Sequence, residues 1–343
     1  MLDLIMLKPG KLPPKLLKQL LDQINPTDPS VLLGPQIGED ASVLNTSQSK
    51  YLVVTTDPIT FTTDKIGWYV VNINANDIAV MGGDPKWLLI TLLLPQKINK
   101  KTIDDIFSQI IDTSSNLGIT LVGGHTEVTP NIISPIAIGT LIGEVSKNHV
   151  IKTKDAKPKD AIILTKKIAL EGTSIIAREF PNKLKSLGIK NDIIQKAEDF
   201  ILHPGISILK EANVARNFKY VHAMHDPTEG GIVTALIELA IASNTGIMID
   251  TKKIQIAPES KQICKALNIN PMGLLSSGCL IITTPQKNSC ELIKNFKSHN
   301  IESYEIGHLT ANPNEYKWVS TSGIEDMPIF ENDELTKCFE AHT

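Results

Sequence analysis

The apolar positions of this chain fall into short runs and stretches of helical period. Residues 12–24 (LPPKLLKQLLDQI) space their leucines as a short amphipathic helix with prolines at its start. A Pro- and Gly-punctuated loop follows over 25–42. The β-branched YLVVTTD (51–57) predicts a strand. Over 66–81 a helix is predicted, with Ile66, Val70 and Ile73 forming its i, i+4, i+7 stripe. KWLLITLLL (86–94) reads as a strand, 101–117 as a helix, ITLV (119–122) as a strand stopping at Gly123 and Gly124, and 132–145 as another strand. The charge-rich KTKDAKPKDA (152–161) lacks apolar period. A domain boundary is therefore placed near 150, dividing 1–150 from 151–343.

Past that boundary, 161–165 predicts a strand and 170–214 mostly helix. YVHAMHD (220–226) predicts a strand leading into a helix at 227–243. Strands near 246–250, 278–284 and 302–309 alternate with helices near 259–267 and 288–298. Helices and strands mix in both halves without the βαβ regularity of a doubly wound sheet, so the expected class is α+β, with layered helices and sheet in each half. The segment GLLSSGCL (273–280) reads as a turn before a buried strand, with the lining of an acceptor pocket as the other reading.

Composition narrows the function. With 343 residues, 42% hydrophobic and 21% charged, the chain has the make-up of a folded two-domain protein. A net charge of −3 argues against a nucleic-acid face. Arg178 and Arg216 are its only arginines, so a phosphate site must use Lys, backbone N–H groups or a metal ion. Cys264, Cys279, Cys290 and Cys338 form no C-x-x-C pair, which fits free thiols in a reducing compartment. The longest apolar run, WLLITLLL, is far short of the ~20 residues of a membrane span. Asp3 interrupts the N-terminal apolar stretch, and no signal-peptide pattern is clear. A cytoplasmic, globular protein is expected.

Several carboxylates interrupt apolar or glycine-rich context: Glu39 and Asp40 in GPQIGEDAS, Asp57 ending VVTTD, Asp77 in VNINANDIAVMGG, Glu127 in GGHTE, and Asp226 and Glu229 in MHDPTEGG. Asp77 continues the buried stripe of its helix, an unfavourable place for a carboxylate unless a cation or donors meet it. The bland reading puts it at the edge of the stripe as a cap. Asp57 alone reads as an Asp-Pro turn opener. Asp226 reads as an N-cap with Pro227 at the first helical position and Glu229 in a capping box. That leaves Gly230 and Gly231 unexplained, since glycine weakens a first turn unless a ligand must come close. Glu39 and Asp40 alone are a solvated loop pair. Taken together, Asp40, Asp57, Asp77 and Asp226 are a set of hard oxygen donors that suits Mg²⁺ bridging to substrate phosphates. His222 and His225 fall on opposite faces of their predicted strand, which disfavours a shared metal site with His125.

IGEDASVL, VVTTDPI, NANDIAVMGGDP, LVGGHTEVTP and MHDPTEGGIVTAL occur in this order and resemble the consecutive motifs of the aminoimidazole ribonucleotide (AIR) synthase superfamily. That superfamily includes AIR synthase, thiamine-monophosphate kinase, selenophosphate synthetase and the carbamoyl dehydratase HypE. The resemblance implies a homodimer in which N-terminal domains pair strands into a shared barrel, with ATP between the domains and Mg²⁺ on its phosphates. Asp40, Asp57 and Asp77 match the acidic metal–phosphate positions, and Asp226 the Asp of the HD motif. Gly123 and Gly124 match the glycine pair that admits the nucleotide. Gly38, Asn76, Thr126 and Glu127, within the same motifs, complete the expected nucleotide set. His125 and Asp226 are the expected catalytic pair.

The departures are informative. Glu39 stands where Gly-Asp-Asp is usual, and His125 follows the glycine pair where many members have Asp or Glu. His125 is open to three readings: phosphate donor, acid/base, or structural substitution. With no Cys near the N-terminus, resemblance to selenophosphate synthetase is weakened. The overall pattern is HypE-like, yet Cys338 in TKCFEAHT does not match that group's tail, which ends in a carbamoyl-accepting Cys. The expected activity is ATP- and Mg²⁺-dependent phosphorylation of an amide- or carbamoyl-type oxygen on a small-molecule or protein-borne acceptor, with dehydration or cyclisation following. A small-molecule kinase or AIR-synthase-type ligase, and a nucleotide-binding maturation or regulatory protein without turnover, are the alternatives. A maturation partner protein is a further expectation; nucleic acid and membrane are not expected.

Overall fold

A computed structural model describes residues 14–23, 28–46 and 49–340. The N-terminal part runs α1 (Pro14–Leu21), β1 (Val31–Leu33), β2 (Ser42–Leu44), β3 (Lys50–Ile59), α2 (Ile66–Val80), β4 (Asp84–Leu94), α3 (Lys100–Asn116), β5 (Thr120–Val128) and β6 (Ile136–Ser146). Its six strands lie in the order β1-β2-β3-β6-β4-β5, antiparallel except for β4 with β5. Residues 12, 13 and 24 of the expected first helix lie outside the described residues.

The C-terminal part runs β7 (Asp160–Thr165), α4 (Leu170–Glu179), α5 (Pro181–Ser186), α6 (Asn191–Glu198), α7 (Leu209–Arg216), β8 (Ala223–His225), α8 (Gly231–Ser243), β9 (Gly246–Asp250), α9 (Pro258–Leu267), β10 (Ile281–Pro285), α10 (Ser289–Ser298), β11 (Ser303–Thr310), β12 (Tyr316–Val319), β13 (Ile324–Asp326) and α11 (Thr336–Glu340). Seven strands order as β13-β12-β9-β11-β7-β10-β8. Both parts are thus mixed helix and sheet, as the alternation of periods predicts.

The buried surface of α2 is not one stripe. All of its 15 residues except Trp68 are buried, because it lies between the first sheet and the C-terminal part. Its polar residues are therefore inside and must be matched. The Asn74 side chain donates to Val70 O at 2.8 Å and accepts from the Asp57 N–H at 3.1 Å. Asn76 donates to Ile206 O at 2.9 Å and accepts from Ile208 N–H at 3.0 Å, which staples α2 to the other part of the molecule.

Both arginines do similar work. Arg178 pairs with Asp64 at 2.6 Å, and Arg216 pairs with Asp84 at 2.7 Å and donates to Gly82 O. Each crosses between the two parts, so neither guanidinium is spent on the acidic site.

Some expected elements shift. The strand expected to stop at Gly123 continues through both glycines to Val128, with a bulge against β4 between Leu88 and Leu89. Gly124 makes this continuation possible. At φ +147° a Cβ there would sit 1.9 Å from Ile90 O, so only glycine fits. Asp57 does not open a turn either, since β3 runs on through Asp57 and Pro58 to Ile59. Pro58 is tolerated because β2 pairs only with Leu52–Val54, leaving one side of β3 without a ladder partner there among the described residues. The loop expected over 25–42 contains β1 and the first residue of β2, and β12 and β13 have no counterpart among the expected elements.

One face of the first sheet is covered by α2 and α3; among the described residues nothing covers the other. Trp87, Leu89 and the whole of the edge strand β5 are exposed on or beside it. Among the described residues, no helix is long and apolar enough to cross a membrane.

Candidate active site

Four aspartates from four different segments meet where the two parts adjoin. Asp40 comes from the loop before β2, Asp57 from β3, Asp77 from α2, and Asp226 from the loop after β8. Asp77 is the centre of the set. Its carboxylate is buried, and Thr55 Oγ1, two residues before Asp57 on the same face of β3, donates to its Oδ2 at 2.6 Å. Burial pushes the Asp77 carboxyl well above the usual carboxylate range. The charges of Asp57, Asp226 and Asp40 push it further, against the Thr55 hydrogen bond.

The reading of Asp226 as a helix cap is not realised. Helix α8 begins five residues later, with Gly230 at its N-cap in a left-handed conformation and no side-chain cap. Pro227 and Glu229 precede the helix instead of forming its first turn. The glycines account for the delay: Gly230 at φ +78° and Gly231 at φ +66° make a turn that an ordinary residue resists. Asp333 from the C-terminal segment anchors this turn by accepting from the Gly230 N–H at 2.7 Å.

Strand alternation argues against a metal shared by His225 and His222, and the structure separates the two. His222 pairs with Asp160 at 2.8 Å, whereas His225, next to Asp226, lies between carboxylates. Its Nδ1 is 2.9 Å from Asp40 Oδ2 and its Nε2 is 3.3 Å from Glu238 Oε2. Burial alone would lower the imidazole pKa; Asp40 and Glu238 override it and carry it up to about 10. Glu238 has a sequence signal, since it is the only charged residue in the largely apolar α8. Glu39, the departure from Gly-Asp-Asp, accepts from the backbone N–H groups of Thr153 and Lys154 at 3.2 and 3.1 Å. Gly38 packs its backbone against Glu238 O.

A second acidic group lies close by. Burial and the carboxylates of Asp333, Glu229 and Asp226 push Glu171 up to about 8, with the Ser277 side chain acting in the opposite direction. The segment 273–280 is a buried turn leading to β10, with the Ser276 hydroxyl accepting from the Ala169 N–H at 2.9 Å.

The remaining expected residues lie elsewhere within one chain. Asp57 pairs with Gly139, Gly139 with Ile90, and Ile90 with Gly124, so Asp57 and Gly124 share a row three strands apart, about 14 Å across the sheet. His125 and Glu127 pair with Thr91 and Leu93 and point to the open face, whereas Asp57 and Thr55 point toward α2. His125 Nε2 is 3.3 Å from Glu127 Oε2, and Glu127 accepts from Thr129 at 2.9 Å. These bonds lower the Glu127 carboxyl below its usual range. Thr126 lies on the same exposed edge strand. A Cβ at Gly123 would meet nothing within 4 Å. Asn76 has its amide engaged by Ile206 and Ile208.

The donor set fits a hard divalent cation with phosphate. All four side chains offer carboxylate oxygen, and their mutual repulsion at Asp77 is what a cation relieves. Among the described residues no three His, Cys, Asp or Glu side chains converge tightly enough to hold a metal alone.

The fold and the acidic set define a class, and sequence comparison agrees with it. The chain belongs to the AIR synthase related proteins: residues 38–145 match the N-terminal domain of that family and 157–319 its C-terminal domain. It is similar to a putative hydrogenase expression/formation protein of Methanocaldococcus jannaschii, with 28% identity covering 93% of this chain and 95% of the relative. It is also similar to carbamoyl dehydratase HypE of Rhizobium leguminosarum bv. viciae, with 26% identity over 83% and 81% of the two chains. Thiamine-monophosphate kinase of Pyrococcus horikoshii shares 28% identity over 74% and 78%. The solved structure of a HypE–HypF complex shares the fold, with a TM-score of 0.69, 19% identity, and coverage of 85% and 94%.

Proposed function

We propose that this protein is a HypE-like, ATP- and Mg²⁺-dependent enzyme that phosphorylates an amide- or carbamoyl-type oxygen. The observation that carries the reading is the convergence of Asp40, Asp57, Asp77 and Asp226 on the junction of the two parts. Relatives named carbamoyl dehydratase, and a solved structure of HypE in complex with ATP, support it. Asp40, Asp57, Asp77 and Asp226 would hold Mg²⁺, which would neutralise charge on the nucleotide phosphates. The chain's part is positioning and electrostatic stabilisation. The acceptor oxygen takes the γ-phosphoryl group and ADP leaves. The phosphorylated C–O bond then breaks with inorganic phosphate as leaving group: either the amide nitrogen releases its protons to solvent and forms the C≡N bond of a nitrile, or a second nitrogen of the acceptor attacks the same carbon, loses a proton and closes a ring. The N-terminal unit to about residue 150 carries three of the four aspartates, and the unit from 151 carries Asp226.

The open, apolar sheet face and the uncovered edge of β5 support a homodimer that pairs these surfaces, since long free edges are otherwise prone to indiscriminate pairing. In such a dimer His125, Thr126 and Glu127, with the glycine pair, face the second copy, so any role for them at the nucleotide is exercised across the interface. The acceptor is a small molecule or a group carried on a partner protein of the maturation type; the solved HypE–HypF complex supports the second source. The protein works in the cytoplasm. Burial of Cys338, whose thiol it pushes up to about 11, argues against this residue as the acceptor. Phe339 packs beside it on Phe61 and Phe180.

A small-molecule kinase is the second reading, favoured by the thiamine-monophosphate kinase relative. The two separate by product. Incubating the purified chain with ATP, Mg²⁺ and a panel of carbamoyl, amide and alcohol acceptors is expected to release inorganic phosphate with an amide- or carbamoyl-type acceptor. A stable phosphorylated acceptor would replace this reading with a kinase. ATP binding without ADP formation under any acceptor would support a maturation or regulatory protein.

A further inference from the structure

The loop carrying Asp40 is held at three successive residues by the part of the molecule it does not belong to. Gly38, at φ +78°, lies so close to α8 that a Cβ would come within 2.6 Å of Glu238 O. The Glu39 carboxylate accepts the N–H groups of Thr153 and Lys154. Asp40 Oδ2 meets His225 Nδ1 at 2.9 Å, and the far side of that ring meets Glu238 at 3.3 Å. His225 is 2% exposed, so the ring is held among these partners inside the molecule. A further tie on Asp40 is local: Thr55 Oγ1, already bonded to Asp77, lies 3.3 Å from Asp40 O.

We propose that His225, backed by Glu238, is a positioning residue that fixes the Asp40 carboxylate in the acidic cluster across the junction of the two parts. The inference rests on the acidic cluster being the Mg²⁺–phosphate site. The imidazole engages one Asp40 oxygen and leaves the other for a cation. Glu238 fixes the ring from behind, at the nitrogen turned away from Asp40. A change at Glu238 therefore reaches the Asp40 carboxylate through His225. Because the clamp spans both parts, the geometry of the phosphate site and the seating of the parts on one another are coupled.

The test compares His225→Ala, His225→Gln and Glu238→Gln with Arg216→Met, which removes a junction ion pair remote from the cluster. Two quantities are read: the Mg²⁺ concentration for half-maximal thermal stabilisation by ATP, and hydrogen exchange of the 38–41 amides without ligand. His225→Ala is expected to raise the Mg²⁺ midpoint about tenfold and to speed exchange in 38–41, as loss of a charge-assisted hydrogen bond predicts. His225→Gln, which keeps one donor, falls between alanine and wild type. Glu238→Gln moves both quantities in the same direction. Arg216→Met lowers the melting temperature and leaves the midpoint in place.

A midpoint and exchange pattern in His225→Gln and Glu238→Gln equal to wild type, or no different from Arg216→Met, overturns the inference even if His225→Ala fails to fold. If wild type gives no Mg²⁺-dependent response to ATP, the enzymatic reading fails, and exchange in 38–41 decides the clamp separately. Faster exchange there supports the anchoring of Asp40, and unchanged exchange refutes it.

Discussion

The hydroxyl of Thr55 donates a 2.6 Å hydrogen bond to the carboxylate of Asp77, joining β3 to the buried helix α2 at the centre of the acidic cluster. That one bond opposes burial and three neighbouring carboxylates, all of which disfavour charge on Asp77. The cluster therefore strains the free protein, and on the proposed function a bound cation would relieve it. Asp77→Asn is expected to raise the melting temperature of the unliganded chain. The same change should remove the ~2–4 kcal/mol of stabilisation that saturating ATP with Mg²⁺ supplies. Thermal-shift curves with and without nucleotide check both; a variant that is no more stable and still responds fully would refute the arrangement.

Glu171 sets a pH dependence. Its carboxyl titrates near 4.5 when unfolded and about 8 in the fold, where burial and Asp333, Glu229 and Asp226 oppose its charge. The fold binds this proton more tightly, so the contribution of Glu171 is complete below pH 4.5 and is lost as pH rises through about 8. Glu171→Gln, which mimics the protonated form, should match wild type near the acid end. Above that window it should melt at least a few degrees higher. Melting curves from acid to alkaline pH test this, and parallel curves for the two proteins would contradict it.

The two neighbouring glycines of β5 should respond differently. Gly124→Ala places a Cβ against Ile90 O in a positive-φ conformation and is expected to cost about 3 kcal/mol or prevent folding. Gly123→Ala meets open space and should change stability by less than about 0.5 kcal/mol. If Gly123 admits nucleotide, the alanine variant loses ATP binding while keeping its denaturant midpoint. Unaltered binding would assign the pair to strand geometry alone.

Asn76→Ala removes both staples to Ile206 and Ile208 and leaves a buried carbonyl and a buried N–H without their partner. A loss of about 2 kcal/mol or more is expected by urea denaturation. A change under about 0.5 kcal/mol would mean that these groups find other partners.

Leu89→Lys puts a charge on the open face of the first sheet, where Leu89 pairs with Gly123 of the edge strand. Sedimentation equilibrium should show a homodimer for wild type and a folded monomer for the variant. A wild-type chain that is monomeric at micromolar concentration rules out the paired-sheet assembly.

Much of the element plan is visible in the chain because hydrophobic period reports which face of a segment is buried. That period marks the strand at 51–57, the helix at 66–81 and the alternation past residue 160. It fails where backbone conformation, not burial, sets the boundary. Gly123 and Gly124 signal a stop in one dimension, yet the positive φ of Gly124 carries β5 on to Val128. Asp226, Pro227 and Glu229 spell a helix cap, yet Gly230 and Gly231 delay α8. The acidic residues are legible one by one, because each interrupts apolar or glycine-rich sequence.

The sequence by itself determined which residue types are available for chemistry: oxygen donors in quantity, two arginines, and a family pattern of five ordered motifs. Only the tertiary structure decided which of them meet. It joined Asp40, Asp57, Asp77 and Asp226 from separate segments, and it placed His125 and Glu127 on the opposite face of the sheet. It also turned His225 from a histidine without assigned purpose into a bridge between Asp40 and Glu238. The physical reason is distance along the chain. Local pattern reports burial and backbone preference over a few residues, whereas Asp40 and His225 are 185 positions apart and meet only when both parts have packed.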